Sequence, residues 1–115
     1  MKKFVLQPGE KLLINDPHAV WLKTDREKIP GSIKLTDKRF VFEKSATPFL
    51  GMFVQSMKKQ VLFDYPLEKI KAYSRETNFR SVNIVIDNGI ERPKKFETSK
   101  IDNLEGEMKN RVNTG

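Results

Sequence analysis

The chain contains no cysteine and a single histidine, His18. Without thiols there is no disulfide, no thiolate metal site and no cysteine nucleophile, and a reducing compartment is permitted. One histidine cannot complete a usual zinc set, and no Ser–Asp pair stands near it as partners for a triad. Glycine is sparse, and Gly51 and Gly89 stand alone, so there is no glycine-rich loop to cradle a phosphate. Carboxylates such as Asp64 and Glu68 are scattered among turn residues, where solvation or capping is their expected role. The expectation is a protein that is not an enzyme, with no metal and no cofactor.

Long hydrophobic runs are missing too. Met1-Lys2-Lys3-Phe4-Val5-Leu6-Gln7-Pro8-Gly9-Glu10 begins like a signal peptide, but Pro8 and Glu10 stop its short apolar run. Nothing approaches the roughly 20 apolar residues of a helical membrane span. The expected location is cytoplasmic, with peripheral attachment at the inner membrane face as the alternative. Acidic charge is in the minority: 15 acidic residues against 22 basic ones leave a net charge of +7. That excess favours lipid headgroups, nucleic acid or acidic proteins, and simple solubility accounts for it equally well. With 115 residues and no linker, repeat or low-complexity run, residues 1–115 read as one domain with one core.

What the chain does have is alternation. In Pro30-Gly31-Ser32-Ile33-Lys34-Leu35-Thr36-Asp37-Lys38-Arg39-Phe40-Val41-Phe42-Glu43, a turn at Asp37-Lys38 sets Leu35 opposite Phe40 and Ile33 opposite Phe42. One register then puts every large apolar side chain of that set on one face, and Lys34, Thr36, Arg39 and Glu43 on the other. The segment predicts a β-hairpin with one buried face.

Further strand signals lie on both sides. Lys11-Leu12-Leu13-Ile14 is a strand or lead-in ended by Asn15-Asp16-Pro17, and Ala19-Val20-Trp21-Leu22-Lys23 is a clear strand. Lys59 to Tyr65 is a strand with Val61, Phe63 and Tyr65 on one face. Pro66 to Ile70 turns the chain, and Lys71 to Arg75 continues it. Val82, Ile84 and Ile86 alternate with Asn83, Val85 and Asp87 in the next strand. Asp87-Asn88-Gly89 then predicts a three-residue hairpin loop with Gly89 left-handed and Ile90 opposite Ile86. Ile90 to Phe96 is a weaker strand that Pro93 confines to an edge or bulge. From Ser99 the period changes: Ile101, Leu104, Met108 and Val112 form the stripe of an amphipathic helix, with Ser99 and Asp102 as its capping pair. The fold class is therefore mainly β with one helix. About seven antiparallel strands, over about 11–98, are capped by a C-terminal amphipathic helix over about 99–112.

Several segments resemble the GRAM domain and bacterial pleckstrin-homology-like domain family. They are the Pro-Gly followed by Leu35-Thr36-Asp37-Lys38-Arg39, the opening Gly9-Glu10-Lys11-Leu12-Leu13, Phe63-Asp64-Tyr65-Pro66-Leu67-Glu68-Lys69-Ile70, and Phe96-Glu97-Thr98 before the helix. The resemblance spans nearly the whole chain. It implies a pleckstrin-homology-like barrel and a binding module.

In an antiparallel run the loops after Lys23 and after Lys44 emerge at one end. That end would collect Lys23, Arg26, Lys28, Lys44, Lys58 and Lys59, with Asp25 and Glu27 interrupting the set. In many pleckstrin-homology domains the corresponding loops hold phosphoinositide phosphates, although the dense basic motif of tight binders is missing here. Beside it lies the apolar segment Phe49-Leu50-Gly51-Met52-Phe53-Val54. It either covers the barrel end or serves as an exposed patch for a membrane surface or partner. Candidate binding residues are thus Lys23, Arg26, Lys28, Lys44, Phe49, Met52, Phe53, Lys58 and Lys59. The expected function is recognition of a protein partner or an anionic lipid surface. Nucleic acid is a weaker alternative, with Phe79 near Arg75 and Arg80 as a stacking surface. Structural self-association as a homo-oligomer stays open. Arg92, Lys94 and Lys95 around Pro93 are expected to protect an edge strand from association.

Overall fold

The computed structural model describes residues 3–45, 60–77 and 82–112. Strands β1 (Leu12–Leu22), β2 (Lys28–Thr36), β3 (Arg39–Lys44), β4 (Gln60–Pro66), β5 (Ala72–Thr77), β6 (Val82–Asp87) and β7 (Lys94–Glu97) precede helix α1 (Ile101–Lys109). All pairings are antiparallel, and the spatial order is β4-β3-β2-β1-β7-β6-β5. The fold is mainly β: seven antiparallel strands in one sheet, with a C-terminal helix. The sheet does not close, because β4 and β5 share no ladder among the described residues.

The hairpin at the centre has the register that alternation demands, with Ile33 opposite Phe42 and Leu35 opposite Phe40. All four of these side chains are fully buried. They pack with Ile84, Ile86 and Phe96 from the other half of the sheet, and with Leu104 and Met108 of α1. The stripe of α1 is as expected for Ile101, Leu104 and Met108, which are buried; the helix stops at Lys109 rather than about 112, so Val112 is buried beyond its end, its amide donating to the Met108 carbonyl. Gly31 lets β2 approach β3: a methyl group there would fall on the Glu43 carbonyl and the Phe42 ring.

Several local expectations need correction. The Asn15-Asp16-Pro17 turn signal does not end a strand. β1 runs through it, with a register irregularity between Asp16 and Ala19 that absorbs the proline. An irregularity in the β3–β4 ladder puts Val61 opposite Glu43, off the face shared by Phe63 and Tyr65. Gly89 is left-handed, at φ 78°, but Ile86 pairs with Lys94 rather than Ile90. Ile90 is 88% exposed. The loop is longer because the Asn88 side chain accepts from the amides of Ile90 and Glu91, and Pro93 delays the strand. β7 is not an edge strand; it lies between β1 and β6. Ser99 does not cap α1: Lys100 is the capping position and has no side-chain bond there, while the Thr98 hydroxyl accepts the Lys100 amide.

The polar face of the central hairpin is the largest departure. Val41 is fully buried there, and Thr36, Arg39 and Glu43 are buried as well. Residues 4–10 lie across this face. The Phe4 amide donates to Glu43 Oε2 at 2.7 Å, and the Phe4 ring sits under Lys34 Nζ at 5.6 Å and the Arg39 guanidinium at 5.0 Å. The N-terminal segment is thus a strap over a charged sheet face.

Candidate functional site

The β1–β2 connection is a short ordered turn. The amides of Lys23 and Thr24 donate to the Glu27 carbonyl, and the Thr24 hydroxyl oxygen accepts from the amides of Arg26 and Glu27. Antiparallel pairing places the end of β1, the start of β2, the end of β3 and the start of β4 together: Leu22 opposes Lys28, and Lys44 opposes both Gly31 and Gln60. Lys23, Arg26, Lys28 and Lys44 therefore share one end, and all four are exposed. Lys23 pairs with Glu27 at 3.6 Å, so one cation is already partly compensated. Among the described residues, Arg26, Lys28 and Lys44 have no ion-pair partner. The other candidates, Phe49, Met52, Phe53, Lys58 and Lys59, lie outside the described residues, as do Phe79 and Arg80.

An aromatic pair that the sequence did not single out stands at the same end. Trp21 near the end of β1 and Phe63 of β4 meet edge to face, with ring centroids 4.5 Å apart. Both are partly buried and pack against the core. Each ring carries a lysine over it: Lys23 Nζ lies 5.9 Å from the Trp21 centroid, and Lys94 Nζ 5.4 Å from that of Phe63. Lys94 faces inward because it shares the side of Ile86, its partner in the ladder. Lys94 also pairs with Glu91 at 3.5 Å. Beside Glu91 sits Tyr65, whose hydroxyl pKa is pushed up to about 12, first by burial and then by the Glu91 carboxylate. The expected edge-protecting role of the basic cluster is therefore replaced by two others: Lys94 covers an aromatic ring, and Lys95 pairs with Glu76 across the outer face.

The second built cluster is under the strap. Glu10 Oε2 accepts from Arg39 Nε at 2.7 Å and from the Thr36 hydroxyl at 2.6 Å, and Oε1 accepts from Arg39 Nη2 at 3.0 Å. Arg39 also donates to Asp64 at 2.9 Å and to the Val5 carbonyl at 2.6 Å. The Arg39 hydrogen bond is the main force holding the Glu10 carboxyl down at about 2, helped by the Gln7 amide and the Thr36 hydroxyl, with burial opposing. In return, Glu10 raises the Arg39 pKa. An open cleft of about 360 Å³ adjoins the cluster, lined by Gln7, Lys38, Arg39, Asp64, Pro66 and Glu68. The Arg39 fork is already engaged by two carboxylates and a carbonyl, so this is a clamp for the strap rather than an open anion site. Its sequence signal was the Gly9-Glu10 opening and the Thr-Asp-Lys-Arg turn, but spacing alone could not join Glu10 to Arg39.

Arg75, a stacking candidate, is tied down elsewhere. It pairs with Asp102 and Glu105 of α1, which raise its pKa. Among the described residues no group of acidic, histidine or cysteine side chains could hold a metal ion. Nor is any helix among them long and apolar enough to cross a membrane. No family model matches the chain, and no curated protein matches it as a relative.

Proposed function

We propose that this chain is a GRAM-like, pleckstrin-homology-like binding module without catalytic activity, and that it recognises an anionic membrane surface from the cytoplasm. The observation that carries this reading is the gathering of Lys23, Arg26, Lys28 and Lys44 at one end by the β1–β2–β3–β4 register. A cationic end adjoining aromatic side chains suits the interface of an anionic bilayer, where each nearby cation contributes about 1 kcal/mol. The sequence adds Phe49, Met52, Phe53, Lys58 and Lys59 to the β3–β4 connection, and these would supply apolar insertion and further charge.

Native protein should co-sediment with phosphatidylserine-containing vesicles at low salt and stay in solution with phosphatidylcholine alone. Rising salt should release it, since exposed charges are screened. Arg26→Gln/Lys28→Gln should weaken binding about fivefold per charge. A Phe49→Ser/Phe53→Ser variant that still folds should lose it. Native protein that ignores anionic vesicles at low salt would overturn the membrane reading and favour a protein partner at this end.

A further inference from the structure

We infer that the Trp21–Phe63 pair, with Lys23 and Lys94 above its rings, enters the interface of an anionic phospholipid bilayer together with the β3–β4 connection. The inference rests on the membrane reading and names the residues that would make the contact.

The argument starts from what the rings lack. Aromatic side chains of this size are ordinarily among the main contributors to a core. Ile33, Leu35, Phe40, Phe42 and Phe96 fill that role and are fully buried. Trp21 and Phe63 are only partly buried, and Ile29, opposite Trp21, is partly buried too. Among the described residues a lysine ammonium lies over each ring: Lys23 on Trp21 and Lys94 on Phe63.

An ammonium over a partly buried ring near the surface is a weak and movable cover. Each lysine also keeps a carboxylate partner, Glu27 for Lys23 and Glu91 for Lys94, at 3.6 and 3.5 Å. These separations leave the ammonium groups loosely held. Side-chain exposure of 47% for Lys23 and 20% for Lys94 gives both heads a route to solvent.

An anionic bilayer offers these groups a better arrangement. Lysine heads can extend to headgroup phosphates while their methylene stems stay on apolar surface. The rings beneath are then free to settle at the headgroup level, where tryptophan in particular is favoured. Lys28 and Lys44 lie at the same end of the sheet and supply the complementary charge that orients the approach. A neutral bilayer has no net negative charge to draw the lysines away, because each phosphate is balanced by its choline, so the rings stay covered.

Trp21 is the only tryptophan, so its fluorescence reports on this position alone. Phosphatidylserine–phosphatidylcholine vesicles should shift Trp21 emission to the blue, and brominated acyl chains in the same vesicles should quench it. Phosphatidylcholine vesicles should do neither. Lys23→Gln and Lys94→Gln should each weaken the fluorescence titration about fivefold. Phe63→Leu, which keeps an apolar side chain, should reduce quenching while thermal melting shows a folded protein. Co-sedimentation run on the same samples separates the two levels. Protein that sediments with anionic vesicles while Trp21 emission and quenching stay unchanged would overturn this inference and leave the membrane reading standing. Protein that does not sediment at all would overturn both.

Discussion

Glu10 shows how one side chain can decide the state of a whole segment. Its carboxylate joins Arg39, Thr36 and the Gln7 amide, and the side chain is closed to solvent. With a folded pKa near 2 against an ordinary 4.5, Glu10 stabilises the folded chain at any pH above 4.5. That stabilisation falls away as pH drops from 4.5 through about 2, because the unfolded chain takes up the proton first. Glu10→Gln leaves the Arg39 charge only the partly exposed Asp64 as its ionic partner. It should destabilise by about 3 kcal/mol at neutral pH, in the manner of a broken buried pair. Urea unfolding of both proteins across the acid range tests the sign: the gap between them should narrow as pH falls. A gap that stays constant would show that Glu10 is not held ionised by the fold. This network was only partly legible in the sequence. Alternation correctly put Thr36 and Arg39 on the face away from the core, but nothing local says that a segment 29 residues earlier covers that face. Contacts this distant in sequence leave no periodic trace.

At the scale of elements, the legible parts were those governed by a single period. The hairpin register from Ile33 to Phe42 and the stripe of α1 follow directly from repeats of 2 and 3.6. The illegible parts are places where the period slips. β1 runs through Pro17 by a bulge, and β4 shifts between Phe63 and Val61. The Asn88 side chain lengthens the β6–β7 loop past Ile90. In each case a local side-chain or backbone adjustment adds residues without changing composition. The neighbouring Pro30-Gly31 pair was readable as a signal, but its reason is tertiary. β2 crosses so close to β3 that only a hydrogen fits at Gly31. Gly31→Ala should therefore destabilise by about 1–3 kcal/mol through overpacking, although its backbone angles suit any residue. Thermal melting measures this, and a variant as stable as the native protein would mean that β2 and Phe42 can move apart freely. The candidate binding end was legible to the same degree. Antiparallel order predicted that Lys23, Arg26, Lys28 and Lys44 would meet, whereas the Trp21–Phe63 pair links strands β1 and β4 that share no ladder.

For the whole molecule, the open question of the sheet is what holds its free edges together. Among the described residues β4 and β5 exchange no ladder, and side chains reach out from both margins. On the β4 side, Phe63 stacks on Tyr65 and meets Phe96, while Tyr65 and Lys94 converge on Glu91 in the β6–β7 loop. On the β5 side, Arg75 reaches Asp102 and Glu105 of α1. Polar groups thus reach from both margins around the apolar core cluster. The Tyr65 margin should make the molecule sensitive to alkali. Its folded pKa of about 12 lies above the ordinary 10.0, so the neutral hydroxyl favours the folded state. The contribution is complete below 10 and is lost as pH rises toward 12, when the unfolded chain ionises first. After allowance for solvent screening it is on the order of 1 kcal/mol. Lysines titrate in the same range, so the informative quantity is a difference. Native protein and Tyr65→Phe should diverge as pH climbs from 10 to 12, the native protein losing stability more steeply in denaturant titrations. Parallel curves would show that the hydroxyl ionises as freely in the folded chain as in the unfolded one, and that the β4 seam depends on ring packing alone.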